Sequence, residues 1–203
     1  MLQEYFSLFE EQLLQISVWE GIAVMFGVLE VLFAKFNKVW LYPCGLVNII
    51  ITVFLFFEAR LYAEILLQMY YLAMSIYGWF LWLKRNGKTL SAGYSSPLEW
   101  KISIGIVFIF FSVLYVFLRT CTNSDVPLWD SFVSAAAWAG MWLLAKRKIE
   151  NWILLNISNF FAVPLLIHKG LALYALLTVI YFIIAVWGYF DWKKIIAKQK
   201  ING

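Results

Sequence analysis

"LLQMYYLAMSIYGWFLWLK", residues Leu66–Lys84, and "LLTVIYFIIAVWGYFDWKK", residues Leu176–Lys194, resemble each other. Each is long and apolar enough to cross a bilayer, which takes about 20 mainly apolar residues. With Leu66 set on Leu176, 110 positions on, Leu67 meets Leu177, Gln68 meets Thr178 and Tyr71 meets Tyr181. Gly78 then meets Gly188, Trp82 meets Trp192 and Lys84 meets Lys194. The preceding stretches echo too. "FAKFNKVW", ending at Trp40, resembles "LLAKRKIENW", ending at Trp152, and Asn48 falls near Asn159 at an offset of 111. Shared Gly, Trp and Lys carry more weight here than shared Leu, because any two lipid-facing helices share leucines.

Composition sets the solvent. The 203 residues are 64% hydrophobic, 20% aromatic and 14% charged, whereas a soluble domain is about half apolar and a quarter charged. A soluble chain of this size could not hide so much apolar surface, so the chain is read as an all-α integral membrane protein. Seven segments qualify as spans: 18–36, 39–57, 61–83, 102–118, 129–145, 152–167 and 171–192. The first fifteen residues lack a positive n-region and a small-residue cleavage site, so no cleavable signal peptide is expected. Instead Phe6, Leu8, Phe9, Leu13 and Leu14 predict a short amphipathic helix at the interface. The longest connection, 84–101, is rich in Gly, Ser and Pro and is read as a loop. The organisation expected is an N-terminal segment (1–16), a first three-helix repeat (17–83), a loop and linker helix (84–127), and a second three-helix repeat with a basic tail (128–203).

Charge tests the count. With seven spans, Lys35, Lys38, Lys84, Arg85, Lys88, Lys101, Lys146, Arg147, Lys148, Lys193, Lys194, Lys198 and Lys200 fall on one side, and Arg60, Arg119 and Lys169 on the other. Basic residues favour the cytoplasm, which puts the N-terminus outside and the C-terminus inside. Three spans reverse the side of the chain, so one further span is needed before a second copy can have the same orientation. The expected architecture is therefore seven transmembrane helices in a 3+1+3 parallel-repeat arrangement, a plan that puts a substrate site at the repeat interface near the midplane.

Chemistry-bearing residues are few. One histidine, His168, and two cysteines, Cys44 and Cys121, give no metal spacing. No glycine-rich phosphate loop or Ser-His-Asp order is present, so neither an enzyme nor a cofactor is expected. The net charge of +4 reflects inner-face anchors, and no nucleic-acid partner is expected. Polar residues do recur at depth. Trp152, Asn156 and Asn159 share one helix face, and so do Gly45, Asn48 and Thr52. Gln68, Tyr71, Ser75, Gly78 and Trp82 form a third stripe, and Thr178, Tyr181, Gly188 and Trp192 a fourth. Lipid cannot satisfy such groups, so they should face protein or a wet cavity. The bland alternative is interhelical glue, worth about 0.6–2 kcal/mol per contact. Four amides beside aromatics on faces shared by both halves favour a site for a flat, polar ring, either neutral or cationic. Trp40, Trp82, Trp142 and Trp192 have a competing role as interfacial belt residues, and Trp192 is read as one. Glu30, deep in the first span, is the single candidate for ion coupling. No Asp/Glu/His relay accompanies it, which favours uncoupled transport.

Leu66–Gln68, "SIYGWFLW" (75–82), "LWDSF" (128–132) and "KRKIENW" (146–152) together resemble the PnuC family of nicotinamide riboside (vitamin precursor) transporters. The similarity runs from about Trp19 to Lys194. The resemblance implies a fold related to the SWEET sugar transporters, a centrally bound substrate, a homotrimer, and facilitated diffusion with trapping by a cytoplasmic kinase in the bacterial inner membrane. By motif it implies ligand contacts from Gln68, Asn151, Trp152 and the asparagines of the sixth span, Asn156 and Asn159. With the stripes, the candidate binding set is Asn48, Gln68, Tyr71, Asn151, Trp152, Asn156, Asn159 and Tyr181. Related members carry thiamine or riboflavin, and "AVWGYFDWKK" (185–194) departs from the nicotinamide riboside members. Thiamine is therefore the alternative substrate.

Overall fold

The computed structural model describes residues 17–58, 62–83, 91–122 and 124–201. The amphipathic segment expected at 1–16 lies outside them. The described residues form seven helices: α1 (Val18–Lys35), α2 (Leu41–Glu58), α3 (Tyr62–Trp82), α4 (Pro97–Cys121), α5 (Pro127–Ala145), α6 (Asn151–His168) and α7 (Ala172–Ile201). All seven expected spans are helical. Four of them, α2, α4, α6 and α7, are long and apolar enough to cross a membrane by themselves. Among the others, α1 carries Glu20, Glu30 and Lys35, and α5 buries nine residues inside the protein, so α5 has less need of a lipid-facing surface.

Two boundaries correct the sequence reading. The loop expected to run to Lys101 ends at Ser96, where a capping box starts α4: the Ser96 hydroxyl accepts from Glu99 N–H, and the Glu99 carboxylate accepts from Ser96 N–H. With Pro97 in the first turn this is a complete helix-start signal, and it adds a turn outside the apolar window. Helix α7 runs to Ile201, past the apolar stretch that ends at Trp192. Its 30 residues measure about 45 Å at 1.5 Å per residue, well beyond a hydrocarbon core of about 30 Å.

The helices close into a ring. Neighbours pack in the order α1, α2, α3, α5, α6, α7 and back to α1, while α4 lies outside along α5. Helices α1 and α5 end in the same way. Asn37 and Arg147 both have positive φ, 54° and 55°. Lys38 N–H reaches Phe33 O at 2.9 Å, and Lys148 N–H reaches Leu143 O at 2.9 Å. These are Schellman closures, which satisfy carbonyls that a helix end leaves open. Every bond of the first turn has its counterpart 110 positions on, through Tyr42 N–H to Val39 O and Trp152 N–H to Ile149 O. The counterpart of Trp152 is thus Tyr42, not Trp40, and the offset carries no gap through the turn.

Two indoles join the halves. Trp82 Nε1 donates to Leu144 O and Ala145 O, both at 3.2 Å, and Trp192 Nε1 donates to Ala34 O at 2.9 Å. Each tryptophan therefore caps the C-terminal carbonyls of the other half's first helix. Trp192 is fully buried, so it is a core residue and not a belt residue; Trp40, at 62% exposure, is open at the surface. Tyr42 meets Trp82 edge-on at 5.4 Å, and Trp152 meets Trp192 edge-on at 5.8 Å. Arg147 stacks over Trp82 at 3.9 Å and donates to Asn37 O at 3.4 Å, bringing the two turns together. The strand-like contact Gly93–Lys148 pins the segment before α4 to the same end. That end also holds Lys35 against Asp191 and Lys148 against Glu99.

Helical glycines make the ring close-packed. A Cβ on Gly188 would lie 2.7 Å from the Trp152 ring, and one on Gly78 would lie 2.6 Å from the Tyr42 ring. On Gly105 it would meet nothing. Gly188→Ala should therefore destabilise the protein by about 1–3 kcal/mol through overpacking. Gly105→Ala should be neutral or stabilising by up to about 1 kcal/mol through helix propensity. Thermal unfolding of the two variants in detergent checks the contrast.

Candidate functional site

The ring lines a partly open cavity of ≈ 230 Å³. All six ring helices contribute to its wall, and α4 does not. Six of the eight residues in the sequence-derived set line it: Asn48 from α2, Gln68 and Tyr71 from α3, Trp152 and Asn159 from α6, and Tyr181 from α7. The structure thus brings together residues from both halves that are more than a hundred positions apart in the chain.

The other two are placed differently. Asn151 is fully buried at the start of α6, where its Nδ2 donates to Lys148 O at 2.6 Å, and it does not line the cavity. Asn156 shares the α6 face but also falls outside the lining; its Oδ1 is enclosed without a hydrogen-bond partner among the described residues. The cavity end of the stripe is occupied by Trp152, Leu155 and Asn159.

Sequence reasoning passed over Gly27, Val31 and Ala34 of α1, and considered Glu30 only for ion coupling. All four line the cavity. Their spacing is that of one helix face, so the signal was present, but the small and apolar members carry no chemistry that marks a site. Met141, Leu144 and Ala185 complete the apolar part of the wall.

Two glycines set the polar contacts. A Cβ on Gly27 would fall 2.5 Å from Tyr181 Oη and 3.2 Å from Asn48 Nδ2, so its absence lets α7 and α2 bring those groups up to α1. A Cβ on Gly45 would fall 2.6 Å from Glu30 Oε1, so the Glu30 carboxylate rests against bare α2 backbone. Among the described residues, the wall offers a carboxylate, three amides, two phenols and an indole, and no Lys, Arg or His.

The amides do not act as glue. Asn48 accepts from Thr52 Oγ1 at 3.3 Å within its own helix. Gln68 and Asn159 hold no hydrogen bond to another helix among the described residues. Ser158, beside Asn159, does bridge helices: its Oγ donates to Val133 O of α5 at 2.8 Å. Among the described residues, no hydrogen bond of Asn48, Gln68 or Asn159 ties one helix to another. Gln68→Ala and Asn159→Ala should each change stability by less than about 0.5 kcal/mol, while Ser158→Ala should cost about 0.6–2 kcal/mol. Thermal melts of the three variants separate the roles.

Comparison with known proteins is consistent with this geometry. The family model described as nicotinamide mononucleotide transporter matches residues 17–194. The chain is 26% identical over 200 residues to the nicotinamide riboside transporter PnuC of Escherichia coli (strain K12), covering 85% of this chain and 84% of that protein. The protein of the same name from Shigella flexneri matches at the same identity and coverage. A solved structure, described as the crystal structure of the vitamin B3 transporter PnuC, superposes with a TM-score of 0.72 at 22% identity, covering 97% of this chain and 90% of that one. At that identity the likeness is one of fold.

Proposed function

The chain belongs to the nicotinamide mononucleotide transporter family, and from that premise we propose that it imports nicotinamide riboside through the central cavity. The observation that carries this is the wall itself: amides and aromatic rings from both halves, with no basic side chain among the described residues. A phosphate buried in a membrane protein needs cationic partners, so the wall disfavours the mononucleotide and suits the unphosphorylated riboside. Amides can bond its carboxamide and ribose hydroxyls, and Tyr71, Tyr181 and Trp152 offer faces for its ring. The volume of ≈ 230 Å³ is below the roughly 300–1,000 Å³ of drug-sized pockets, in keeping with a small ligand. Thiamine, also an aromatic cation without a need for basic partners, is the alternative.

The finer parts of the reading follow the same line. The 3+1+3 arrangement, like that of the SWEET transporters, is supported by the matching turns and the reciprocal indole bonds at an offset of 110. Binding at the interface of two such halves suits alternating access by rocking one against the other. Facilitated diffusion is what the family resemblance implies, and it agrees with a sequence in which no Asp/Glu/His relay accompanies Glu30. A cytoplasmic kinase would then trap the riboside. The bacterial relatives support a multi-pass protein of the inner membrane, and an outside N-terminus is supported by the basic residues that seven alternating spans assign to one side. Homotrimeric assembly is what the family resemblance implies.

Calorimetry on the purified protein with nicotinamide riboside, nicotinamide mononucleotide and thiamine tests the reading. Binding of the riboside alone is expected; binding of thiamine alone would move the protein to the alternative, and preference for the mononucleotide would overturn the reading of the wall. In uptake assays Gln68→Ala and Asn159→Ala should each lose about tenfold or more, equivalent to a lost hydrogen bond of about 1–3 kcal/mol in a closed site, with folded protein retained.

A further inference from the structure

Glu30 is a carboxylate in the wall of a membrane-embedded cavity, and it has no salt bridge among the described residues. An unpaired charge in that setting is strongly unfavourable, so an acid there is neutralised by a proton until a cation pairs with it, and intramembrane acids are normally paired or held for function. The protein contains its own control for whether packing requires it. Glu30 rests on Gly45 across the α1–α2 contact. At an offset of 110, the corresponding positions are Gly140 and Leu155. There a Cβ on Gly140 would lie 2.8 Å from the Leu155 side chain. The same helix contact is thus made in both halves by one large side chain over one glycine. In the second half the large residue is apolar and comes from the other helix. The fold closes this contact without a charge, so the charge at Glu30 is not there to hold the helices.

The cavity has room for what is missing. Tyr71 and Tyr181, themselves 110 positions apart, line it together with Glu30. A carboxylate with two phenol rings and an indole around one space matches an aromatic cation, held by Coulomb attraction and by the ring faces. A bare metal ion fits less well: among the described residues no group of three acidic, histidine or cysteine side chains exists to hold one, and Leu155 takes part of the wall. We infer that Glu30 is the specificity-determining counter-charge of the cavity, which selects ligands carrying a fixed positive charge on an aromatic ring over neutral ligands of the same shape. This rests on the reading of the cavity as the substrate site.

The test compares nicotinamide riboside, a pyridinium cation, with its 1,4-dihydro reduced form, a neutral molecule of nearly the same shape, by calorimetry on the full chain. The native protein should bind the cation about tenfold to a hundredfold more tightly, the range of one charge-assisted contact. Glu30→Gln should abolish the preference by weakening the cation alone, with the neutral form changed by less than about threefold; Glu30→Asp should keep most of it. Gly45→Ala, which leaves the charge but displaces the carboxylate, should reduce the preference and gives a second variant if Glu30→Gln does not fold. No preference in the native protein, or an unchanged preference in Glu30→Gln, overturns the inference. If the native protein binds neither form, the riboside reading fails, and thiamine and N-methylnicotinamide are titrated against neutral nicotinamide. A cation whose binding is lost in Glu30→Gln would then uphold the role of Glu30, and binding of none, or binding indifferent to the substitution, would overturn it.

Discussion

Two indole N–H groups, on Trp82 and Trp192, close the ring of helices at one end by donating to the last carbonyls of α5 and α1. A helix end leaves its final carbonyls without partners, and away from water those groups must be satisfied by protein. Here Ala34 O and Leu144 O each accept one bond from their own turn, from Asn37 N–H and Arg147 N–H at 2.9 Å, and a further bond from an indole of the opposite half. The third helix of one half therefore cannot move away from the first helix of the other without exposing carbonyls and a buried indole together. The packing of α3 on α5 and of α7 on α1, which makes the ring a ring, is built around these bonds. The Schellman turns, the Arg147 stack on Trp82 and the short bridge from Gly93 all gather at the same end.

Within that frame the two halves are decorated differently, and the difference makes the site. Val31 and Met141, Ala34 and Leu144, and Tyr71 and Tyr181 line the cavity as pairs 110 positions apart, so its wall straddles the relation between the halves. Against these pairs stand single features. Gln68 corresponds to Thr178, which bonds back to Tyr174 O of its own helix instead of facing the cavity. Asn48 corresponds to Ser158, which is spent on a bond to α5, while Asn159 corresponds to Ile49, which lines the cavity as well but is apolar. Polar groups that face the cavity in one half serve as internal ties, or are absent, in the other. The two sides of the wall therefore present different contacts.

Much of this was legible in the sequence. Seven apolar stretches became seven helices, since hydropathy over some twenty residues is a strong local signal. The stripes of Asn48, Gln68, Tyr71, Trp152, Asn159 and Tyr181 reached the cavity, because helical periodicity and the cost of polar groups in lipid leave them few other places. Asn156 belonged to the same stripe and lies off the lining; a face about one helical turn wide cannot tell which of its members meets a cavity and which meets a neighbouring helix. Asn151 was drawn in by its motif and is held by its own turn instead. Trp192 looked like a belt residue because position in a span says nothing about whether an indole turns toward lipid or toward a carbonyl on another helix.

The sequence by itself determined the solvent, the number and rough extent of the helices, the sided distribution of basic residues and the internal correspondence at 110 positions. Those depend on composition and on spacing along the chain, which are local quantities. Only the tertiary structure decided that Trp82 and Trp192 exchange carbonyls between halves, that Gly27 and Gly45 admit Tyr181, Asn48 and Glu30 to one space, and that Glu30 faces a cavity with no cation in its wall. Each of those facts is a meeting of residues from different helices. Whether a small residue is filler or a socket, and whether an acid is paired or waiting for a ligand, is set by what arrives opposite it, and that is a property of the packed ring.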